Sequence, residues 1–343
     1  MKVLGFLLFP FAIVFDVVTS IRNRLYDRGY KPTARFDTTV ISVGNLAVGG
    51  TGKTPMIEYL IRLLKADYNV ATLSRGYGRN TKGIRIAGEA DNASTLGDEP
   101  FQFYKKFDKT VTVAVGEERA LAIPYIIDHD PDTSIILLDD AFQHRKVTPS
   151  FQVLLTSYDR PFYNDFLLPT GRLRESRQGA RRADVIVVTK CPAELSEEEM
   201  MEIGVKIRKF SAKPVFFTAV HYGNIMPLRA STQVFPDKVI LVSGIANHKP
   251  LAHYVVSNFN LIRHLSFADH HDYTEKDMAM IASAANASNA AIVTTEKDAV
   301  KMEADKFRVF LSQAPFFYLP IETVFLKNGK DFDEMVLNVI KNV

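Results

Sequence analysis

The sequence predicts an α/β protein whose core is a doubly wound, mainly parallel sheet. Three observations carry this. Apolar, β-rich runs alternate with helical patterns through most of the 343 residues. Several runs are apolar at consecutive rather than alternate positions, as strands buried on both faces require. Helix-length segments with an apolar stripe fit between them, the layout that right-handed crossovers produce. The strand candidates are Thr39–Val43, Val70–Leu73, Val111–Val115, Ser134–Leu138, Gln152–Leu155, Val185–Thr189, Val215–Thr218, Val239–Val242, Ala291–Thr295 and Phe316–Leu319. Met56, Leu60, Leu63 and Leu64 make one helical stripe, and Met278, Ile281, Ala282 and Ala285 another.

Composition sets the bounds. With 47% hydrophobic and 24% charged residues, the chain has enough apolar content for two packed cores. A net charge of +3 gives no global field for nucleic acid, so any basic site has to be local. Cys191 is the single cysteine, which excludes an intramolecular disulfide and fits a reduced compartment. It reads as a small core residue, since no Cys or His stands at ligand spacing from it.

The N-terminus stands apart. Val3 to Phe15 is unbroken apolar sequence, followed by Arg22, Arg24, Arg28 and Lys31. Thirteen helical residues reach about 20 Å against roughly 30 Å of hydrocarbon, too short to span a bilayer. A secretory signal carries its basic residues before the apolar run, and here they follow it. The pattern suits a helix dipped into an anionic leaflet, with a buried N-terminal helix as the alternative. The expected division is a membrane-associated helix over 1–31, a core over 32–150 completed by a C-terminal helix over 328–343, and a second, smaller α/β domain over 151–327. The Arg-rich stretch Leu167–Arg177 reads as a functional loop, because Arg172, Arg174 and Arg177 would be costly to bury unpaired.

The strongest chemical signal is Ala47-Val48-Gly49-Gly50-Thr51-Gly52-Lys53-Thr54, set between a strand and a helix. It has P-loop spacing, with Ala47 where the first glycine usually sits. Gly49, Gly50 and Gly52 clear side chains from a row of backbone N–H groups, and the following helix adds the positive end of its dipole. Lys53 is placed on the β- and γ-phosphates and the Thr54 hydroxyl on Mg²⁺. Pro55 falls where its missing N–H has no intrahelical partner. The hydrophobic strand ending at Asp139 reads as the second metal-binding element, with Gln143 on the polar loop beyond it as a further candidate. The fold expectation is therefore a P-loop NTPase sheet, with ATP and Mg²⁺. Thr189-Lys190-Cys191-Pro192 lacks the Asp of a guanine-reading element, which favours ATP over GTP.

Phosphoryl transfer also needs a group to take the acceptor's proton. Gly97-Asp98-Glu99-Pro100 offers two carboxylates, and its Pro predicts a non-helical Glu99. Ser266–Tyr273 concentrates Asp269, His270, His271 and Asp272, which also suits a capped helix start or an adventitious metal site. Arg119 is a candidate for the γ-phosphate, with a solvated helix-start charge as its alternative.

Taken in order, these segments resemble the tetraacyldisaccharide 4′-kinases of lipid A biosynthesis over nearly the whole chain. The resemblance rests on Ser42–Leu46 leading into Gly49–Pro55, Ser74–Arg79, Gly97–Pro100, Asp139–His144, Leu168–Glu175, Phe267–His271 and Thr295–Ala299. It implies transfer of the ATP γ-phosphate to the 4′-hydroxyl of an acylated glucosamine disaccharide 1-phosphate, two α/β domains and an N-terminal helix embedded in the membrane. It implies work at the cytoplasmic face of the inner membrane, with the leaflet surface and the lipid as partners and no protein partner. The family's catalytic base falls on Asp98, and its supporting histidine on His270 or the adjacent His271. Lys53 and Asp139 complete the catalytic set. Asn45, Arg75, Arg172 and Arg174 are candidates for the substrate, the arginines for its anionic head group. Two other readings stay open on the residues alone: a soluble P-loop kinase with a non-lipid acceptor, and a nucleotide switch that hydrolyses slowly.

Overall fold

The computed structural model describes residues 2–229 and 235–341, with side chains from residue 8 onward. Part of the apolar run and the last two residues of the expected C-terminal helix thus lie outside the described side chains. Among the described residues two sheets form. The larger has nine strands in the order β14-β8-β7-β6-β1-β5-β2-β4-β3. Its members are β1 (Thr39–Asn45), β2 (Val70–Ser74), β3 (Arg85–Ile86), β4 (Thr112–Val115), β5 (Ile135–Asp139), β6 (Phe151–Ser157), β7 (Val185–Thr189), β8 (Val215–Tyr222) and β14 (Ile321–Phe325). The smaller sheet has the order β11-β10-β12-β13-β9. It holds β9 (Met226–Pro227), β10 (Lys238–Ser243), β11 (Asn260–Ser266), β12 (Ala291–Thr295) and β13 (Phe316–Leu319).

The helices are α1 (Lys2–Asp27), α2 (Lys53–Leu64), α3 (Ala93–Leu96), α4 (Asp98–Phe107), α5 (Arg119–His129), α6 (Glu197–Arg208), α7 (Lys249–Asn258), α8 (Glu275–Ser288), α9 (Glu296–Met302), α10 (Arg308–Gln313) and α11 (Gly329–Lys341). Met56, Leu60 and Leu64 of α2, Phe103 of α4, and Phe332 and Val336 of α11 pack on one face of the larger sheet. Ala122, Ile123 and Ile126 of α5 cover the other. The parallel strands β1, β2, β5 and β7 are buried along their whole length, which is why they read as continuous apolar runs.

Two expectations are corrected. The sheets do not divide at residue 150, because β6, β7 and β8 pair in parallel onto β1 and extend the larger sheet. The chain passes to the smaller sheet only after Tyr222 and returns at Ile321. Glu99 is helical: α4 begins at Asp98, so Pro100 falls in the first turn, where an N–H has no partner to lose. The N-terminal helix runs on through its basic flank to Asp27. No helix among the described residues is long and apolar enough to cross a membrane.

One buried ionic cluster ties the two sheets together. The Lys106 ammonium on α4 lies 2.7 Å from Glu58 of α2 and 2.7 Å from Glu296 of α9. Gln102 donates to the other Glu58 oxygen at 2.8 Å. The Glu58 side chain is only 1% exposed, and burial raises its carboxyl above the ordinary range although Lys106 opposes this. Removing the ammonium alone leaves two carboxylates facing each other, with only the partly exposed Arg62, 3.2 Å from Glu58, to offset them. Lys106→Met is expected to lower the unfolding free energy by about 3–5 kcal/mol in urea titrations. Adding Glu58→Gln is expected to recover part of that loss.

Candidate active site

The chain leaves β1 toward α2 at the point where its neighbours are β5 on one side and β6 on the other. Ligands of doubly wound sheets collect at such a place, beyond the carboxyl ends of the strands. Gly52 is the N-cap of α2 and holds φ 80°, a left-handed conformation that favours glycine; no side chain caps the helix. Among the described residues, the N–H groups of Gly49, Gly50, Thr51, Gly52, Lys53 and Thr54 have no hydrogen-bond partner. That is a row of donors at a helix N-terminus with no acceptor, the arrangement an anion requires.

The loop is braced from below. Asn45 is wholly buried and donates to the Thr51 hydroxyl at 2.6 Å, so it supports the loop rather than meeting a substrate as expected. Thr189 donates to the Thr51 carbonyl at 2.8 Å, and Lys190 to the Gly50 carbonyl at 2.6 Å. The start of the loop pairs with the Arg-rich segment, and Val48 donates its N–H to the Arg172 carbonyl at 2.8 Å. Ala47 pairs with Leu173 in the same bridge. The Val48 N–H is therefore committed to the protein, and the available phosphate cradle narrows to Gly49–Thr54.

Parallel pairing sets Asp139 beside Val43, so the end of β5 lies at the level where β1 opens into the loop. The carboxyl is buried; Ser74 donates to Oδ2 at 3.3 Å, while Oδ1 has no hydrogen-bond partner among the described residues. Burial, with the Glu99 carboxylate nearby, pushes Asp139 up to about 7. A buried, unpaired carboxylate oxygen fits a divalent cation, as does the Thr54 hydroxyl in the first turn of α2. Gln143 donates its amide to the Asn45 carbonyl and to Glu175, both at 2.9 Å, leaving its buried Oε1 unpartnered.

The Asp139 shift has a consequence for stability. Its folded value is raised, so the native state holds the proton from the ordinary carboxylate range up to about 7 while the unfolded chain has lost it. Stability from this group is complete below about pH 4 and lost as pH rises through its folded value. In chelator, the unfolding free energy is expected to fall by on the order of 4 kcal/mol across that window in urea titrations. Asp139→Asn is expected to remove this decline.

Cations gather on the same side. The Lys53 ammonium stands 3.8 Å from Asp140. Arg174 grips Asp140 through both guanidinium ends, at 2.7 and 3.2 Å, and also bonds Asn45. Arg172 pairs with Asp165 at 2.9 Å. Two of the three arginines expected at a substrate head group, Arg172 and Arg174, thus have internal anions, whereas Arg75 is exposed just past the end of β2. Arg119 is not a solvated charge. It is 2% exposed, bonds the Gly116 and Asp139 carbonyls, and is lowered to about 10 by burial.

The opposite wall comes from α4, the 267–271 loop and α9. Gly97 holds φ 94° with its α-carbon face against the Tyr77 carbonyl, where a Cβ would meet that oxygen at 2.9 Å. This turn delivers Asp98 at the first position of α4. His270 Nδ1 lies 3.2 Å from Asp98 Oδ2, and the Lys301 ammonium lies 3.1 Å from the same oxygen. His271 instead faces Asp277 at 3.1 Å. Burial alone would raise Asp98, but the His270 hydrogen bond and the Lys301 charge hold it below the usual carboxylate range. Lys297 lies 2.9 Å from His270 Nε2 and 3.7 Å from Glu99. Sequence reasoning named the segments that hold Asp140, Glu175 and Lys297 but gave these three side chains no role of their own, and it did not single out Lys301. Cys191 is buried in the core, its thiol pushed up to about 12 by burial.

Comparison with known proteins agrees with this layout. The family model for tetraacyldisaccharide-1-P 4′-kinase matches residues 4–341. The tetraacyldisaccharide 4′-kinase of Flavobacterium johnsoniae is 46% identical, covering 99% of this chain and 98% of its own length. That of Bacteroides thetaiotaomicron is 38% identical over 97% of this chain and 93% of its own. The solved structure of LpxK from Aquifex aeolicus in complex with ATP superposes with a TM-score of 0.77 at 26% identity, covering 98% of this chain and 99% of that one. With a phosphate cradle at the end of β1 and a full-length match to that model, this chain belongs to the tetraacyldisaccharide-1-P 4′-kinase family.

Proposed function

We propose that this protein transfers the γ-phosphate of ATP to the 4′-hydroxyl of an acylated glucosamine disaccharide 1-phosphate, working at the cytoplasmic face of the inner membrane. The observation that carries the site assignment is the pairing of unpartnered amides at Gly49–Thr54 with an ionised carboxylate, Asp98, on an adjoining helix. The amides and Lys53 hold the triphosphate. Thr54 and Asp139 would hold Mg²⁺, which would supply positive charge to the phosphate oxygens. The hydroxyl oxygen forms a bond to the γ-phosphorus as the bond to the ADP oxygen breaks. Asp98 receives the hydroxyl proton late in that step, when the oxygen has become acidic enough for a weak base. Arg119, behind Asp139, lends positive charge from the interior, and exposed Arg75 suits the anionic head group.

The membrane part of the reading rests on α1. Phe9, Phe11, Val14 and Val18 are each more than half exposed, a run of apolar surface along the helix. Its basic end is fixed to the site: Arg22 bonds the Gln143 carbonyl, Asn23 bonds Glu175 at 2.8 Å, and Asp27 pairs with Arg145 at 2.8 Å. Gln143 in turn donates its amide to the Asn45 carbonyl at the end of β1 and to Glu175, so the anchor and the phosphate loop share a frame.

The test is direct. Purified protein with Mg·ATP and the tetraacyl disaccharide 1-phosphate in detergent should yield, by mass spectrometry, one added phosphate on the non-reducing sugar. A chain lacking residues 2–20 should no longer float with anionic vesicles. ATP hydrolysis with no phosphorylated lipid would overturn the reaction, and unchanged flotation would overturn the anchor.

A further inference from the structure

Two lysines on α9 have no part in the reaction as described above, yet both reach the Asp98–His270 pair. Lys297 and Lys301 are one helical turn apart, so they share a face of α9, and that face meets the start of α4. The Lys301 side chain is 6% exposed. A buried ammonium is costly unless its donors are used, and Lys301 uses them on Asp98 Oδ2 at 3.1 Å and on the His271 carbonyl at 3.1 Å. The wholly buried Asp298 lies 3.9 Å away as a second anion. Asp298 is itself held by the Gly244 N–H at 2.9 Å and the Thr295 hydroxyl at 2.8 Å, which fixes the register of α9.

The hydrogen-bond directions then follow from donor inventory. An ammonium has donors only, so Lys297 at 2.9 Å from His270 Nε2 makes that nitrogen the acceptor. The ring proton must sit on Nδ1, where it donates to Asp98 Oδ2 at 3.2 Å. Oδ2 therefore receives two donors, from His270 and Lys301, while Oδ1 has no partner among the described residues.

We propose that Lys297 and Lys301 are positioning residues: Lys297, on Nε2, acts with the Asp98 carboxylate on Nδ1 to fix the His270 tautomer, Lys301 saturates Asp98 Oδ2, and Oδ1 is thereby left as the one oxygen turned to the acceptor hydroxyl. The inference rests on the assignment of Asp98 as the base. It makes the smaller sheet responsible for the orientation of a base carried by the larger one. A lysine that merely supported the fold would leave the tautomer unchanged.

The experiment uses full-length protein carrying ¹⁵N-histidine in detergent, with His270 assigned by loss of its signals in His270→Asn. Long-range ¹H–¹⁵N spectra should show Nδ1 protonated and Nε2 unprotonated. Lys297→Met, at a partly exposed position, frees Nε2 from its donor while Asp98 still faces Nδ1, so Nε2 should take up a proton in part of the population, with kcat about tenfold lower and KM for ATP unchanged. Lys297→Arg, which keeps a donor there, should restore the tautomer and more than half of kcat. An Nε2–H tautomer in the wild-type protein, or a Lys297→Met spectrum identical to wild type, would overturn the proposal. If the tautomer follows Lys297 while Asp98→Asn turns over normally, the base assignment falls and the positioning of His270 stands.

Discussion

Lys53→Ala is expected to lower kcat about a thousandfold, roughly 4 kcal/mol of transition-state stabilisation. The physical ground is that phosphoryl transfer asks for positioned positive charge more than for covalent chemistry. Lys53 opens α2 directly behind Gly52, and its ammonium lies 3.8 Å from Asp140, so the protein already holds it at the mouth of the cradle. The amides of Gly49–Thr54 survive the substitution, so nucleotide should still bind, with KM for ATP rising far less than kcat falls. Steady-state kinetics on both substrates measure this split. A variant with near-normal kcat would remove Lys53 from the transition state.

Asp98→Asn is expected to lower kcat by about 10²–10⁴, the usual worth of a positioned general base. The substitution keeps the shape and removes the acceptor for the proton. It also leaves the Lys301 ammonium without its carboxylate at 3.1 Å. Thermal unfolding should accompany the kinetics, because loss of that buried pair costs stability as well. Wild-type Asp98 sits below the usual carboxylate range, so its ionised state persists through neutral pH and into mild acid. The activity lost as pH falls should therefore not return in a profile shifted upward. A full rate in Asp98→Asn would transfer the role elsewhere.

How far these features were legible in the chain differs by their physical origin. The phosphate loop announced itself because only glycine permits the backbone of Gly52 and the open row of amides, and that constraint is local. Asp139 was legible for a related reason, as a carboxylate ending a strand that is apolar at every position. The partner of Asp98 is 172 residues away in sequence, beyond the reach of spacing, and it came from resemblance. Lys297 and Lys301 stand in the same segment, but nothing in a helix of seven residues shows which neighbour it meets.

The misplaced division between sheets has an equally plain cause. A parallel strand buried on both faces looks the same in either sheet, so β6, β7 and β8 carried no mark of membership. The strands that went unread lie mostly at edges or are very short. β14 alternates half-buried and exposed positions at one edge, β11 is largely solvated with Arg263 and His264 in its span, and β3 and β9 have two residues each. Arg172 and Arg174 were read as free charges because a sequence does not show that Asp165 and Asp140 would fold against them.

The most direct test of the whole account is a structure with Mg²⁺, a non-hydrolysable ATP analogue and the disaccharide lipid bound together. The prediction is that the γ-phosphate lies against the amides of Gly49–Thr54, with the 4′-hydroxyl within hydrogen-bond reach of Asp98 Oδ1. A hydroxyl held by some other side chain, with Oδ1 turned away from it, would contradict the assignment of this site.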